Sequence, residues 1–395
     1  MEEEVSSFTS AEKVAGNRDI LLEILSRLPP KSLLQLKRVS KEWLTLISDY
    51  RFRRTHFLRH HPTTLLLTNK FGPISSTHIL SFTAATIATV RNLDLDFFNN
   101  YSYYVPRYVA VVRSCNGLLL CRIASRYFIC NPTTRKSITL NLPKHQYKNQ
   151  DCTFYLAFDP STSIHYEIIF LRIWAGKPPF RCAFTVYSSK TRSWRETPSG
   201  VNFYAQFRLN DADGVYSNRA IHWFDKADCS GGVYFHIDSR SLKTFPMPPL
   251  TDSDSDSNSV SQNVKYFGES GGCLHLILCI DQTLKLDVFE LKEDYYDWPL
   301  IHNVDLNSAR VKFPELSYWD IPNSVVPFYI ACATEGKNSV LVLIVGGGTA
   351  VVLYDPVDRS STKLCDLNPG TINVDLATGN VLGEVFQHIE YISDL

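Results

Sequence analysis

Apolar side chains change their rhythm once along this chain. Between residues 19 and 47 they recur at helical spacing; from residue 64 onward they come in strand-length runs broken by Gly, Asn, Asp, Pro and Ser. The change predicts a small helical head followed by a large β body. In the head, Ile20, Leu21, Ile24, Leu25 and Leu28 share one helix face, with Asp19 and Glu23 in the first turns where the helix dipole favours acids. Pro29-Pro30 is expected to stop that helix. Ser32 with Gln35 fits a capping box opening a second helix that carries Leu33, Leu34, Leu36 and Val39. Ser40 can cap a third, with Trp43, Leu44, Leu46 and Ile47. Three short helices bury little on their own. Part of the set Ile20, Leu21, Leu25, Leu28 and Pro29 is therefore expected to face a partner surface.

A basic stretch follows: Arg51, Arg53, Arg54, His56, Arg59, His60 and His61. It reads as a solvated face with Phe52, Phe57 and Leu58 packing inward, rather than as a nucleic-acid patch. His56 and His60 have helical i, i+4 spacing. Phe57 stands where a zincin has its Glu, and no third ligand is near, so no metal site is expected.

In the body, strands are predicted at Leu65–Leu67, Tyr108–Val112, Leu118–Arg122, Tyr127–Cys130, Ile168–Ile173, Ala183–Tyr187, Val233–Ile237, Leu274–Cys279, Leu284–Leu291, Val340–Val345 and Val351–Tyr354. No long helical pattern interrupts them, which disfavours a parallel β-α-β architecture. A degenerate repeat runs through them: an aromatic-rich strand, a polar turn, then another strand. With Thr83, Asn131, Ser188, Asp238, Glu290 and Asp355 as equivalent points, the spacing runs from 48 to 65 residues. A period near that of a four-stranded propeller blade predicts a β-propeller. Six repeats give six blades; seven or eight remain open. Asn or Asp at the turn bonds its own backbone, and Pro and Thr/Ser complete it.

Composition narrows the function. The 395 residues hold 40 Lys+Arg and 40 Asp+Glu, so the formal net charge is zero and broad electrostatic capture of nucleic acid or an anionic membrane is not expected. Hydrophobic residues are 44% and aromatics 12%, enough for a large core. No apolar run approaches the ~18 residues of a membrane span. Met1-Glu2-Glu3-Glu4 is not a secretory signal, and residues 1–16 read as a flexible acidic tail. The ten cysteines include no C-x-x-C pair and are expected as reduced thiols. The expected setting is intracellular, cytoplasmic and/or nuclear. No G-x-S-x-G, P-loop or H-E-x-x-H motif is present. Asp159 and Glu167 could form a glycosidase pair, but Asp159 before Pro160 reads as a turn residue. Gly346-Gly347-Gly348 leads into a strand, so it offers no helix N-terminus to phosphate. The acidic segment 251–259 lacks the Gly and distal Glu of a calcium loop and reads as solvated. No catalytic residue, cofactor or metal is expected.

Two segments carry a family resemblance. Asp19-Ile-Leu-Leu-Glu-Ile-Leu-Ser-Arg-Leu-Pro-Pro-Lys-Ser-Leu-Leu34, followed by Leu36-Lys-Arg-Val-Ser-Lys-Glu-Trp43, resembles a plant-type F-box. Gly16 and Asn17 stand where F-boxes usually open with Leu-Pro, and Arg38 replaces a more common Cys. Ser114-Cys-Asn-Gly-Leu-Leu119, Cys130-Asn-Pro-Thr-Thr-Arg-Lys136, Ala157-Phe-Asp-Pro160 and Ala220-Ile-His-Trp223 resemble the F-box-associated domain; Phe386-Gln-His-Ile-Glu-Tyr391 resembles its closing strand. The resemblance implies an α+β multidomain chain, with a three-helix F-box over 17–60 and an all-β, kelch-like propeller over 61–395. It implies a substrate-recognition subunit of a cullin–RING ubiquitin ligase, docked on a Skp-family adaptor, with an unknown protein target and no bond-making of its own. Adaptor-binding candidates are Ile20, Leu21, Ile24, Leu25, Leu28, Pro29, Leu33, Leu36, Val39 and Trp43, with Trp43 the first to be expected in the core. The alternatives are a scaffold or transcriptional regulator outside a ligase, and a propeller hydrolase. Loops 141–152, 196–214 and 251–263 are target-binding candidates by length.

Overall fold

A computed structural model of the chain describes residues 17–59, 64–69, 77–83, 86–95, 97–98, 109–143, 150–196, 203–205, 207–209, 214–225, 231–249, 264–280, 284–316, 325–330, 339–345, 350–368, 371–372, 383–392 and 395. The acidic tail 1–16, His60, His61, the 251–259 segment and Gly346–Gly348 lie outside them.

Among the described residues four helices build the head: α1 Arg18–Ser26, α2 Pro30–Leu36, α3 Lys41–Ser48 and α4 Tyr50–Arg59. Asn17, standing in place of the usual Leu-Pro, caps α1: its side-chain oxygen accepts from the N–H groups of Asp19 at 3.1 Å and Ile20 at 3.2 Å. Ser40 caps α3 through the Trp43 N–H at 3.1 Å. The expected Ser32 capping box does not form. Pro30 itself is the first residue of α2, a position whose N–H would be unsatisfied anyway, and this puts Ser32 inside the helix. The basic stretch becomes α4, and its orientation also differs from expectation. Phe52 is buried, but so are Arg53 and His56, while Leu58 points outward. Positions 52, 53 and 56 share one helical face, and 58 lies off it. His56 is engaged there, its Nε2 lying 2.8 Å from the Leu28 carbonyl just past the end of α1.

Among the described residues the body is six antiparallel sheets, five of four strands and one of five. Blade 2 is β4 Ala110–Cys115, β5 Leu118–Ile123, β6 Arg126–Asn131 and β7 Lys136–Leu140. Blade 3 is β8 Gln150–Ala157, β9 Glu167–Trp174, β10 Phe180–Ser188 and β11 Ser193–Glu196, with β12 Phe203–Ala205 also pairing on β10. Blade 4 is β13 Val215–Ser217, β14 Ala220–Phe224, β15 Gly232–His236 and β16 Ser241–Phe245. Blade 5 is β17 Val264–Ser270, β18 Cys273–Ile280, β19 Lys285–Leu291 and β20 Leu300–Asp305; a short helix α5, Asn307–Lys312, follows it. Blade 6 is β21 Val326–Ile330, β22 Val340–Val345, β23 Ala350–Asp355 and β24 Ser360–Asp366. Blade 1 joins the two ends of the body: β1 Thr64–Asn69, β2 Thr77–Thr83 and β3 Thr86–Asn92 pair with the last strand, β25 Gly383–His388, in the order β25-β1-β2-β3.

Apolar clusters fill the gaps between neighbouring blades all the way round, including the gap between blades 6 and 1. Aromatic rings supply much of this packing. Phe184 of blade 3 stacks on Phe235 of blade 4 with centroids 4.0 Å apart, a geometry worth ~0.5–1.5 kcal/mol beyond its area.

The repeated turn is the third-to-fourth-strand hairpin. Asn131 Oδ1 accepts from Thr133 N–H at 2.9 Å and Asp355 Oδ1 from Val357 N–H at 2.8 Å, and the residue four positions on, Arg135 or Arg359, has positive φ. Blade 4 departs from the expected alignment. His236, not Asp238, holds this position: its Nδ1 accepts from Ser239 N–H at 3.2 Å, and Arg240 has the positive φ. Asp238 instead pairs with Arg219 at 2.6 Å.

The chain end joins head to body. Past β25, Tyr391 is buried in the cluster between blades 2 and 3, and its carbonyl accepts from Asn131 Nδ2 at 2.8 Å. Gly117 lies so close that a Cβ there would meet Tyr391 Cβ at 2.6 Å. One residue on, Ile392 is fully buried in the core of the head, with Leu21, Leu25, Leu33, Leu46, Ile47 and Phe52. Glu390 bridges Lys31 of the head and Arg91 of blade 1, each at 2.9 Å. On the head side, Phe57 meets Tyr391 edge-on at 5.7 Å, and Tyr50 and Arg54 both donate to the Ser161 carbonyl, at 3.4 and 2.5 Å. Ile392→Ala is expected to cost about 2–5 kcal/mol, the usual range for emptying a filled core site. Urea unfolding of the full chain checks this; an unchanged midpoint would mean that the tail does not hold the head.

Candidate functional site

The head sorts its apolar residues into two sets. Leu21, Leu25 and Leu33 are buried in its own core, so they leave the list of docking candidates and support the surface from beneath. Leu28, Leu36 and Trp43 are half-buried against that core. Ile20 and Ile24, one turn apart on α1, are each 44% exposed; Val39 is 60% exposed, and Pro29 is exposed too. Leu44 joins them at 47%, although its helical spacing with Trp43 and Ile47 reads as core. Beside this face, Glu23 binds Arg59 at 2.9 Å and Arg27 at 2.7 Å, and those hydrogen bonds hold its carboxyl below the ordinary range.

Among the described residues, the head meets the propeller at Ser161, between β8 and β9, and through Tyr391, which lies against Gly117 between β4 and β5 and Asn131 between β6 and β7; these are first-to-second and third-to-fourth turns. In an antiparallel meander the second-to-third turns, and the starts of the innermost strands, then lie at the far end. Segments 141–152, 196–214 and 251–263 join one blade to the next and so lead to that end, but the first two are not loop throughout: residues 150–152 begin β8, Glu196 ends β11, and 203–205 form β12, paired on β10. Most of their length is outside the described residues. Of the described far-end segments, residues 175–179 between β9 and β10 are exposed throughout.

The supposed acid pair has structural work. Asp159 Oδ1 accepts from Ser161 N–H at 2.9 Å, and Glu167 pairs with Arg219 at 2.7 Å. Among the described residues no group of three or more His, Cys, Asp and Glu could hold a metal. The described cysteines are free. One carboxyl that the sequence did not single out is perturbed. Burial pushes Glu269, at the end of the innermost strand β17, up to about 7, against the pull of a 2.8 Å bond from Gly272 N–H. It reads in sequence as a polar strand residue before a Gly-Gly turn. Burial also lowers His222 to about 3, and His275 and His388 to about 4.

These shifts make stability depend on pH. Each depressed histidine binds a proton in the unfolded chain before it does in the fold, so its contribution is lost as pH falls from about 6.5 toward 4. The raised Glu269 acts oppositely, costing stability as pH rises from about 4.5 to 7. Burial lowers His78 and His302 as well, so the depressed histidines outnumber the raised carboxyl and predict net loss on acidification below pH ~6.5. Glu269→Gln is expected to add on the order of 1 kcal/mol at pH 8 and to steepen the acid loss. Unfolding midpoints at pH 8, 6.5 and 5 check both signs; a variant no more stable than the parent at pH 8 would contradict the assignment.

A helical head tied by one side to a six-bladed propeller defines a two-part interaction protein, and comparison with known proteins gives its family. The model of the F-box associated beta propeller domain matches residues 75–325, and that of the F-box domain matches residues 17–55. An F-box protein of Arabidopsis thaliana is 29% identical over 392 residues, covering 91% of this chain and 88% of the relative. An F-box/kelch-repeat protein of the same plant is 34% identical over 328 residues, covering 78% and 76%. This chain belongs to the F-box proteins with an F-box-associated β-propeller domain. Its F-box indicates binding to a Skp-family adaptor in general, and the family is typically a non-catalytic adaptor. Among solved structures, an oligogalacturonate lyase in complex with manganese matches with TM-score 0.41 and 7% identity over 80% of this chain and 81% of that one, a likeness that carries nothing about activity.

Proposed function

We propose that this chain is the substrate-recognition subunit of a cullin–RING ubiquitin ligase, with the head seated on a Skp-family adaptor and the propeller holding a protein target. The observation that carries this reading is the outward apolar set Ile20, Ile24, Pro29 and Val39, on a head whose inner side is already occupied by Ile392 and Tyr391. Leu28, Leu36 and Trp43 are the margin of that surface, and Leu21, Leu25 and Leu33 hold it in shape. The mechanism is proximity. A target bound on the propeller meets a conjugating enzyme, borne by the same complex, at raised effective concentration. Every bond is made by other subunits. The setting this role requires is intracellular, cytoplasmic or nuclear.

The double variant Ile20→Asp, Ile24→Asp tests the docking face. Each exposed anchor of an interface typically contributes more than ~1 kcal/mol, so adaptor affinity should fall at least about tenfold. The melting temperature should hold, because neither side chain is core. Titration of purified adaptor against the full chain reads the loss. Undiminished affinity would refute the proposed face, and adaptor binding without recruitment of a cullin would refute the ligase role.

A further inference from the structure

We propose that Ser40 is a phosphorylation site for a serine kinase that reads basic residues, and that its phosphate opposes adaptor docking. The second half rests on the docking face proposed above. Ser40 lies in the run Leu36-Lys-Arg-Val-Ser-Lys41, with Lys37 three and Arg38 two positions before it and Lys41 just after. Kinases and their substrates are matched by charge pattern, and a basic pair at those two positions suits an acidic substrate groove.

The fold presents this run. Residues 38–42 are exposed without a break. Ser40 is extended, with φ −155° and ψ 164°, between the end of α2 and the start of α3. Its hydroxyl oxygen accepts from Trp43 N–H at 3.1 Å, and among the described residues its hydrogen has no acceptor. Three other hydroxyls of the head are spent. Ser26, Thr45 and Thr55 each donate to a carbonyl one turn back in their own helix, at 2.9, 2.9 and 3.0 Å. Thr55 also follows two arginines, but it sits in the middle of α4, where an extended backbone would require unwinding the helix.

The donor of the phosphoryl group is ATP. The Ser40 oxygen bonds to the γ-phosphorus, the bond from that phosphorus to the β–γ bridging oxygen breaks, ADP leaves, and the hydroxyl proton passes to the kinase's base. The product carries a charge of about −1.5 to −2 at neutral pH. It stands beside Val39, which is 60% exposed, and one helical turn before Leu44, which is 47% exposed. An apolar partner surface closing over those two side chains has to strip water from the phosphate. The head keeps its own shape, because the phosphate can still accept from Trp43 N–H and lies at the positive end of the α3 dipole beside Lys41.

The test treats the full chain with cyclic-AMP-dependent protein kinase and magnesium-ATP. Mass spectrometry reads the phosphate, and titration of purified adaptor reads affinity. Ser40 should be labelled, and Arg38→Gln should slow that labelling about tenfold, the loss expected for one charge-assisted contact to the kinase. The phosphorylated chain should bind the adaptor at least about tenfold more weakly at a melting temperature no lower than before, and phosphatase should restore the affinity. Ser40→Gly, a residue that an N-cap tolerates nearly as well, should keep full affinity after the same treatment. Labelling is read without the adaptor, and Ile20→Asp with Ile24→Asp reads the docking face without a kinase, so the two readings fail separately. No phosphate on Ser40, labelling indifferent to Arg38, a phosphorylated chain that binds the adaptor like the parent, a treated Ser40→Gly chain that also loses affinity, or a loss that accompanies a lowered melting temperature would overturn the proposal.

Discussion

The architecture depends on where one short strand goes. β25, from the far end of the chain, takes the innermost place in a blade whose other strands come from just after the head. It closes the ring: Ser114 of blade 2 donates to the Gln387 carbonyl at 3.1 Å, and Gln387 Nε2 donates to the Tyr329 carbonyl of blade 6 at 2.8 Å. The residues that follow it leave the ring, fill the gap beneath Phe57 and finish the core of the head with Ile392. Ring closure and head attachment are therefore one event, made by residues that are last in sequence. A propeller without β25 would expose the edge of β1, and a head without Ile392 would lose part of a core too small to spare it.

From that coupling follows the division of faces. The head is held at the end of the propeller where first-to-second and third-to-fourth strands turn, and its apolar Ile20, Ile24 and Val39 stay exposed. The long blade-to-blade connections lead to the opposite end. In the proposed assembly, adaptor and target would then be held on one body rather than on two parts joined by a tether. The aromatic richness of the chain serves this rigidity, because its rings are spent mainly between blades.

The periods of the chain were legible because they follow from burial. Strand runs, the six-fold repeat and three of the helices could be read from which positions are apolar. Element ends and side-chain directions were less so, since they depend on local hydrogen bonds that composition does not rank. Ser32 looked like a cap, yet Pro30 starts the helix. Asp238 looked like the turn residue, yet His236 does that work and Asp238 is bound by Arg219. In α4, Leu58 is more apolar than Arg53 or His56, but the helix phase fixed by Phe52 turns it outward. The docking candidates were found as a group and could not be divided, because Leu21 and Ile20 differ only in which side of α1 they occupy. Ile392 and Glu269 were invisible, one because its partners lie over 300 residues away, the other because its environment is made by strands distant in sequence.

Hydrogen–deuterium exchange of the full chain, with and without purified Skp-family adaptor, tests this division of faces most directly. Protection should appear in residues 18–28 and around 36–44, while β5, β9 and β10 exchange as before. Protection centred on the propeller strands, or none on α1, would contradict the account.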